Sequence, residues 1–188
     1  MSDVVENWPA ALDRGVAGAP FEGEARSGDV AVFVPTAGGA LVGLIDGLGH
    51  GPEAADAAEA CGEIVRTHAD VGAQELLQAC HEALVDTRDV VMTAAWFDLE
   101  DETVSWAGVG NVDARLVRSG PELREEVALV FGGVLGYRMP RVRPATMKLE
   151  RGDLLVMLTD GVEGAISPAL AGGGAAQTLA ERIFEQHG

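Results

Sequence analysis

Between residues 41 and 52 the chain changes its hydrophobic period with no linker in between. LVGLI (41–45) is a continuous apolar run, Asp46-Gly47-Leu48-Gly49-His50-Gly51 follows it, and from Pro52 onward Ala54, Ala58, Cys61, Ile64, Val65 and His68 recur at helical spacing. A continuous apolar run suits a buried strand. Glycines allow a tight turn, and proline is accepted in a first helical turn because its missing N–H has no partner there anyway. The sequence therefore predicts a strand that passes through a glycine-rich turn directly into a helix.

Around this junction the remaining elements can be placed. Gly15 to Ala19, Asp29 to Val34 and Ala40 to Ile45 read as short strands separated by Pro35-Thr36 and Gly38-Gly39. Asp70-Val71-Gly72 breaks the first helix, and a second, from Ala73 to about Thr87, places Leu76, Leu77, Cys80 and Leu84 on one face. Strands resume at Val91 to Phe97, Thr103 to Ala107, Val112 to Val117 and Ala128 to Phe131, with Asp101-Glu102 and Ser119-Gly120-Pro121 as turns. The run Leu154 to Leu158, Asp160-Gly161, a Gly-rich stretch at 172–174 and a helix from Ala175 to Gln186 complete the chain. Hairpin-linked strands and segregated helices point to an α+β class, with a two-sheet core covered by helices. One domain over 1–188 suits the length of 188 residues.

The balance of charge narrows the function. Thirty acidic against 13 basic residues give a net charge of −17, which repels nucleic acid and anionic lipid. A phosphorylated substrate is repelled as well, unless a local cation reverses the field. No apolar run approaches the ~20 residues of a membrane span, and MSDVVENWPAALDRG lacks a basic, apolar leader, so a cytoplasmic location without membrane contact is expected. Cys61 and Cys80 fall inside helical stretches without CxxC spacing and read as reduced, buried thiols.

The chemistry centres on carboxylates. LVGLI and LLVML (154–158) each lead into Asp-Gly, at Asp46-Gly47 and Asp160-Gly161. Asp-Gly is also a common turn, and either pair taken alone is read equally well as one. A third acid, Asp29 of Ser27-Gly28-Asp29, begins another strand, where a solvated turn is an equally good description. If the three carboxylates converge, their repulsion calls for a hard divalent cation held by oxygen. The four histidines show no ligand spacing of the zinc kind, His50 being the one beside the candidate site. The glycine-rich turn can present N–H groups to phosphate, but it is neither G-x-G-x-x-G nor a P-loop.

Ser27-Gly28-Asp29, Asp46-Gly47-Leu48-Gly49-His50-Gly51 and Thr159-Asp160-Gly161 together resemble, in order and separation, the bacterial metal-dependent protein phosphatases of the PPM (type 2C) family. The DGLGHG run and small size are most similar to its RsbX and SpoIIE-like group. The resemblance implies a four-layer α-β-β-α sandwich of two mostly antiparallel sheets flanked by helices. It further implies two Mn²⁺ or Mg²⁺ ions, with Asp46 bridging them, the Gly47 carbonyl and Asp29 on the second and Asp160 on the first. Asp46 and Asp160 would then be the catalytic acids. The implied reaction is attack of an activated water on phosphoserine or phosphothreonine, with phosphorylated STAS-domain stressosome proteins, which control a stress-response sigma factor, as substrates and partners.

Three further residues belong to this reading. Asn111 resembles the family's Gly-Asn turn but reads as a hairpin corner; Glu163 could orient a metal water or be a loop acid; Trp96 and Trp106 read as core or hairpin-face residues. Family members usually carry another Asp in an Asp-Asp or Asp-Asn pair before a final strand after the last helix. The sequence given ends at Gly188, which implies a shortened chain or a weakened first site. The competing readings are a phosphatase-fold binding or regulatory module with weak or no turnover, and a phosphohydrolase of small molecules.

Overall fold

The structure is a computed structural model that describes residues 5–85, 87–120, 124–162, 164, 166–170 and 172–188. Strands β1 (Asp29–Thr36) and β2 (Gly39–Gly47) form the first hairpin, followed by helices α1 (Pro52–Thr67) and α2 (Ala73–Ala83). Then come β3 (Val90–Asp98), β4 (Thr103–Val109), β5 (Asp113–Arg118), β6 (Arg124–Val127), β7 (Ala145–Lys148) and β8 (Leu154–Leu158). Two helices, α3 (Ser167–Leu170) and α4 (Ala176–His187), close the order. The strands make two antiparallel sheets, one of order β1-β2-β3-β4-β7 and one of order β6-β5-β8.

Strand alternation distributes the side chains into layers. Along β3, Met92, Ala94 and Trp96 face α1 and α2, while Ala95 and Phe97 face the second sheet. Along β8, Leu155 and Met157 face the first sheet, while Val156 and Leu158 pack under α3 and α4 beside Leu179 and Ile183. The result is the α-β-β-α sandwich, with one apolar layer between the sheets and one beneath each helix pair. Leu41, Ile45, Leu76, Leu77 and Leu84 are fully buried, each worth about 1.5–3 kcal/mol of transfer free energy.

α1 lies close to its sheet because its buried face is small over most of its length: Ala54, Ala55, Ala57, Ala58, Cys61 and Gly62, with Val65 the one larger residue. A Cβ at Gly62 would stand 3.3 Å from Val30 Cγ1. Glu53 in the first turn and Arg66 in the last complement the helix dipole. Cys61 and Cys80 are both buried free thiols, as expected. Trp106 is buried and Trp96 half-buried, on β4 and β3.

Several boundaries differ from expectation. Residues 15–19 are not a strand; Val16 instead exchanges two hydrogen bonds with the Gln177 amide, of 3.1 and 2.9 Å, which ties this segment to α4. Asp13 Oδ2 accepts from the Ala176 N–H at 2.7 Å at the start of the same helix. The strand expected at 128–131 lies at 124–127, where Arg118 and Arg115 on β5 pair with Glu126 and Glu125. Phe131 keeps only a single bridge, to Val109. α2 ends at Ala83 rather than near Thr87. Pro121 of the expected Ser119-Gly120-Pro121 turn lies outside the described residues.

Candidate metal centre

β1 and β2 pair so that Asp29 stands directly opposite Asp46. Val30, Val32 and Ile45 face the helices, so alternation turns both carboxylates to the other face, at one end of the space between the sheets. Like charges in directly opposite positions destabilise a strand pair. β8 of the second sheet ends at Leu158, and Asp160 follows it to the same place. Burial, reinforced by the charges of Asp29 and then Asp160, pushes the Asp46 carboxyl up to about 6. Burial also raises the Asp29 carboxyl, against a lowering hydrogen bond from Thr159 and with a further raising contribution from Asp160. Three acids drawn from both sheets therefore feel one another's charge.

The surroundings of Asp46 are built by glycines. A Cβ on Gly47 would fall 2.2 Å from the Ala54 carbonyl oxygen, so only glycine lets α1 sit against this strand end. The Gly47 N–H donates to the Gly28 carbonyl at 3.0 Å. Gly49 and Gly51 have φ of 94° and 88°, in the left-handed region that side chains disfavour. His50 does not approach the site as a ligand: its Nδ1 lies 3.1 Å from Glu24 Oε1 and its ring stacks on Phe21 with centroids 5.3 Å apart. His81 Nδ1 accepts from the Gly136 N–H, a structural role.

Two side chains not counted among the expected ligands hold the acids in place. Thr159 Oγ1 donates to Asp29 Oδ2 at 2.9 Å, linking the second Asp-Gly motif to the first sheet. Asn111 Nδ2 donates to Asp160 Oδ2 at 3.4 Å. Asn111 is itself placed by a fixed turn: Thr93 Oγ1, fully buried, donates to the Val112 carbonyl at 2.7 Å, and Gly110 takes φ 103° where a Cβ would strike Val91. Their sequence signals were adjacency to Asp160 for Thr159 and the Gly-Asn pair for Asn111. Glu163 lies outside the described residues.

The donor set suits a hard divalent cation, all of it oxygen. Among the described residues, no three His, Cys, Asp or Glu side chains by themselves form a group that could enclose an ion. Backbone oxygens lie beside them: a Cβ placed on Gly28 would stand in ordinary contact with the Gly47 carbonyl oxygen at 3.4 Å and that of Gly49 at 3.8 Å, so both carbonyls border the space next to that residue. Among the described residues, no helix is long and apolar enough to cross a membrane.

Comparison with known proteins agrees with this architecture. The curated protein phosphoserine phosphatase RsbX of Bacillus subtilis (strain 168) is 23% identical over 122 residues, a match that spans 65% of this chain and 60% of that protein. A solved chain from work on the bacterial stressosome as a modular system adapted to secondary-messenger control superposes with a TM-score of 0.86 at 30% identity, covering 94% of this chain and 92% of that one. RsbX in complex with magnesium superposes with a TM-score of 0.77 at 20% identity over 93% of this chain and 83% of its own. The PP2C phosphatase domain of SpoIIE from Bacillus subtilis gives 0.70 at 19% identity, covering 92% of this chain and 55% of that one. The family described as stage II sporulation protein E (SpoIIE) matches residues 36–185, from the end of β1 to the last turns of α4, and the chain belongs to that family.

Proposed function

We propose that this chain is a metal-dependent phosphatase of phosphoserine and phosphothreonine on regulatory proteins. The observation that carries this reading is the meeting of Asp29, Asp46 and Asp160, from both sheets, at one end of the sandwich, where burial and mutual repulsion act on Asp46. Asp46, Asp160, Asp29 and the Gly47 carbonyl are the groups that would hold Mn²⁺ or Mg²⁺, with two ions as the working number. A bound divalent ion supplies Lewis-acid chemistry, lowering the pKa of water and offsetting phosphoryl charge in a reaction whose uncatalysed rate is so low that accelerations of up to ~10²¹ are needed.

The chain's own residues prepare for that. Thr159 fixes the orientation of Asp29, Asn111 steadies Asp160, and the glycine walls bring carbonyls and carboxylates close without intervening side chains. As substrates we infer phosphorylated STAS-domain proteins of a stressosome, in a cytoplasmic signalling role. RsbX, a phosphoserine phosphatase, and the stressosome structure among the relatives support this choice. A module that binds phosphoproteins with little turnover is the second reading, favoured by the absence, among the described residues, of three side-chain ligands that enclose an ion unaided.

Hydrolysis of a phosphoserine peptide by the purified chain, with and without millimolar Mn²⁺ and with EDTA as control, tests the proposal. Mn²⁺-dependent release of phosphate is expected. Metal-independent release, or none in Mn²⁺ or Mg²⁺, contradicts it.

A further inference from the structure

The three acids and the net charge of −17 create a field hostile to a phosphomonoester dianion, which a fixed cation nearby would offset. Arg26, close to Asp29 in sequence, is engaged with Asp56 at 2.5 Å. Arg66, Arg115 and Arg118 are likewise paired with carboxylates. Arg88 differs. It is exposed, and it takes part in none of the ion pairs formed among the described residues.

Its place is set by the backbone. Gly47 pairs with Val90 across β2 and β3, so Arg88, two residues before Val90, enters at the sheet end where Asp46 lies. The Leu48 N–H donates to the Asp89 carbonyl at 3.0 Å, fastening the glycine-rich turn to this entry segment. Arg88 Nη1 donates to the Leu48 carbonyl at 3.3 Å. A Cβ on Gly49 would lie 2.9 Å from that same Nη1, so the glycine makes room for the guanidinium. Among the described residues this contact uses one of the five N–H donors of the planar fork.

We infer that Arg88 is a substrate-binding residue that receives the phosphoryl oxygens of a phosphoserine or phosphothreonine side chain beside the Asp46-Gly47 turn, an inference that rests on the phosphatase reading for its choice of substrate. A guanidinium matches two phosphate oxygens at once, and its charge is permanent. The link to Leu48 holds it over the turn, where the carboxylates alone would turn the substrate away.

The test is equilibrium binding by calorimetry to the full chain loaded with Mn²⁺. The probes are inorganic phosphate, a peptide carrying the non-hydrolysable phosphonate analogue of phosphoserine, and its unmodified twin. Arg88→Ala is expected to weaken binding of phosphate and of the phosphonate peptide by roughly 10- to 100-fold, the scale of a charge-assisted hydrogen bond, with Arg88→Lys recovering part of the loss. Mn²⁺ affinity and binding of the unmodified twin should stay as in the wild type. Phosphonate binding unchanged in Arg88→Ala overturns the inference, as does a wild type with no preference for the phosphonate peptide over its twin. A parallel loss of Mn²⁺ affinity overturns it too, by reducing Arg88 to a brace of the turn. Arg88-dependent phosphonate binding in a chain that hydrolyses nothing sinks the phosphatase reading and leaves this one standing.

Discussion

Asp46-Gly47 and Asp160-Gly161 each close an apolar strand, yet their surroundings are opposite. Gly47 is buried, with the α1 backbone filling the space where a side chain would go, and its strand is paired on both sides. Gly161 is exposed, and a Cβ there would meet nothing within 4 Å. Asp160 is held from outside, by Asn111 on the turn between β4 and β5. One half of the site is thus part of the core of the first sheet, whereas the other is positioned by side-chain contacts between the sheets. The first half should be sensitive to shape and the second to single hydrogen bonds.

The largest effect expected from that contrast is on stability. Gly47→Ala forces a methyl group against the Ala54 carbonyl and should cost about 2–3 kcal/mol, near the upper end of overpacking penalties, or more. Gly161→Ala should change stability by no more than ~0.5 kcal/mol, as for open surface positions. Denaturant unfolding of the two variants measures both. Equal penalties would erase the distinction between the two halves.

A smaller effect sharpens the second half. Asn111→Ala removes the amide that steadies Asp160, an exposed and long contact of 3.4 Å. A loss of kcat/KM of about two- to fivefold is expected, the scale of ~0.5–1 kcal/mol for such a bond. The loss should shrink as Mn²⁺ is raised, since the metal then orders the acid itself. An unchanged Mn²⁺ dependence would remove Asn111 from the account.

A third effect concerns an acid of the opposite kind. The Asp153 side chain is only 2% exposed, and desolvation alone would raise its carboxyl, but the N–H groups of Ser119 and Glu150 and the Arg118 guanidinium at 2.7 Å outweigh that and hold it below the usual range. A carboxyl depressed in the folded state contributes stability that is complete above its unfolded value near 3.8 and is lost as pH falls through the lower folded value. Asp153→Asn should therefore lower stability at neutral pH by about 1–2 kcal/mol and narrow its difference from wild type in acid. Thermal unfolding between pH 7 and pH 3 reads this directly. A gap that widens in acid would contradict the assignment.

Much of this architecture is legible in the residues themselves. The switch of period at Asp46 to Pro52 places β2, the turn and α1, and the alternation of β3 and β8 follows from runs that are apolar on both faces. What escaped was decided by partners far away in sequence. Gly15 to Ala19 reads as a strand from its short apolar run, but the Val16 backbone bonds to the Gln177 side chain rather than to a sheet. β6 is charged because it is an edge strand whose Arg and Glu neighbours pair across the sheet, so no hydrophobic pattern marks it. β7, Ala145–Lys148, is a short edge strand of half-exposed residues beside β4 and equally unmarked. At the candidate site, the strand ends single out Asp46 and Asp160 as expected ligands, whereas the hydrogen bonds of Thr159 to Asp29 and of Asn111 to Asp160 form only where the two sheets come together.

Calorimetric titration of the metal-free chain with Mn²⁺, in parallel with Asp46→Asn and Asp160→Asn, tests the central claim most directly. Saturable binding by the wild type, abolished in Asp46→Asn and weakened in Asp160→Asn while both variants remain folded, is the predicted result. Binding that is the same in all three chains would contradict the assignment of these acids to the metal centre.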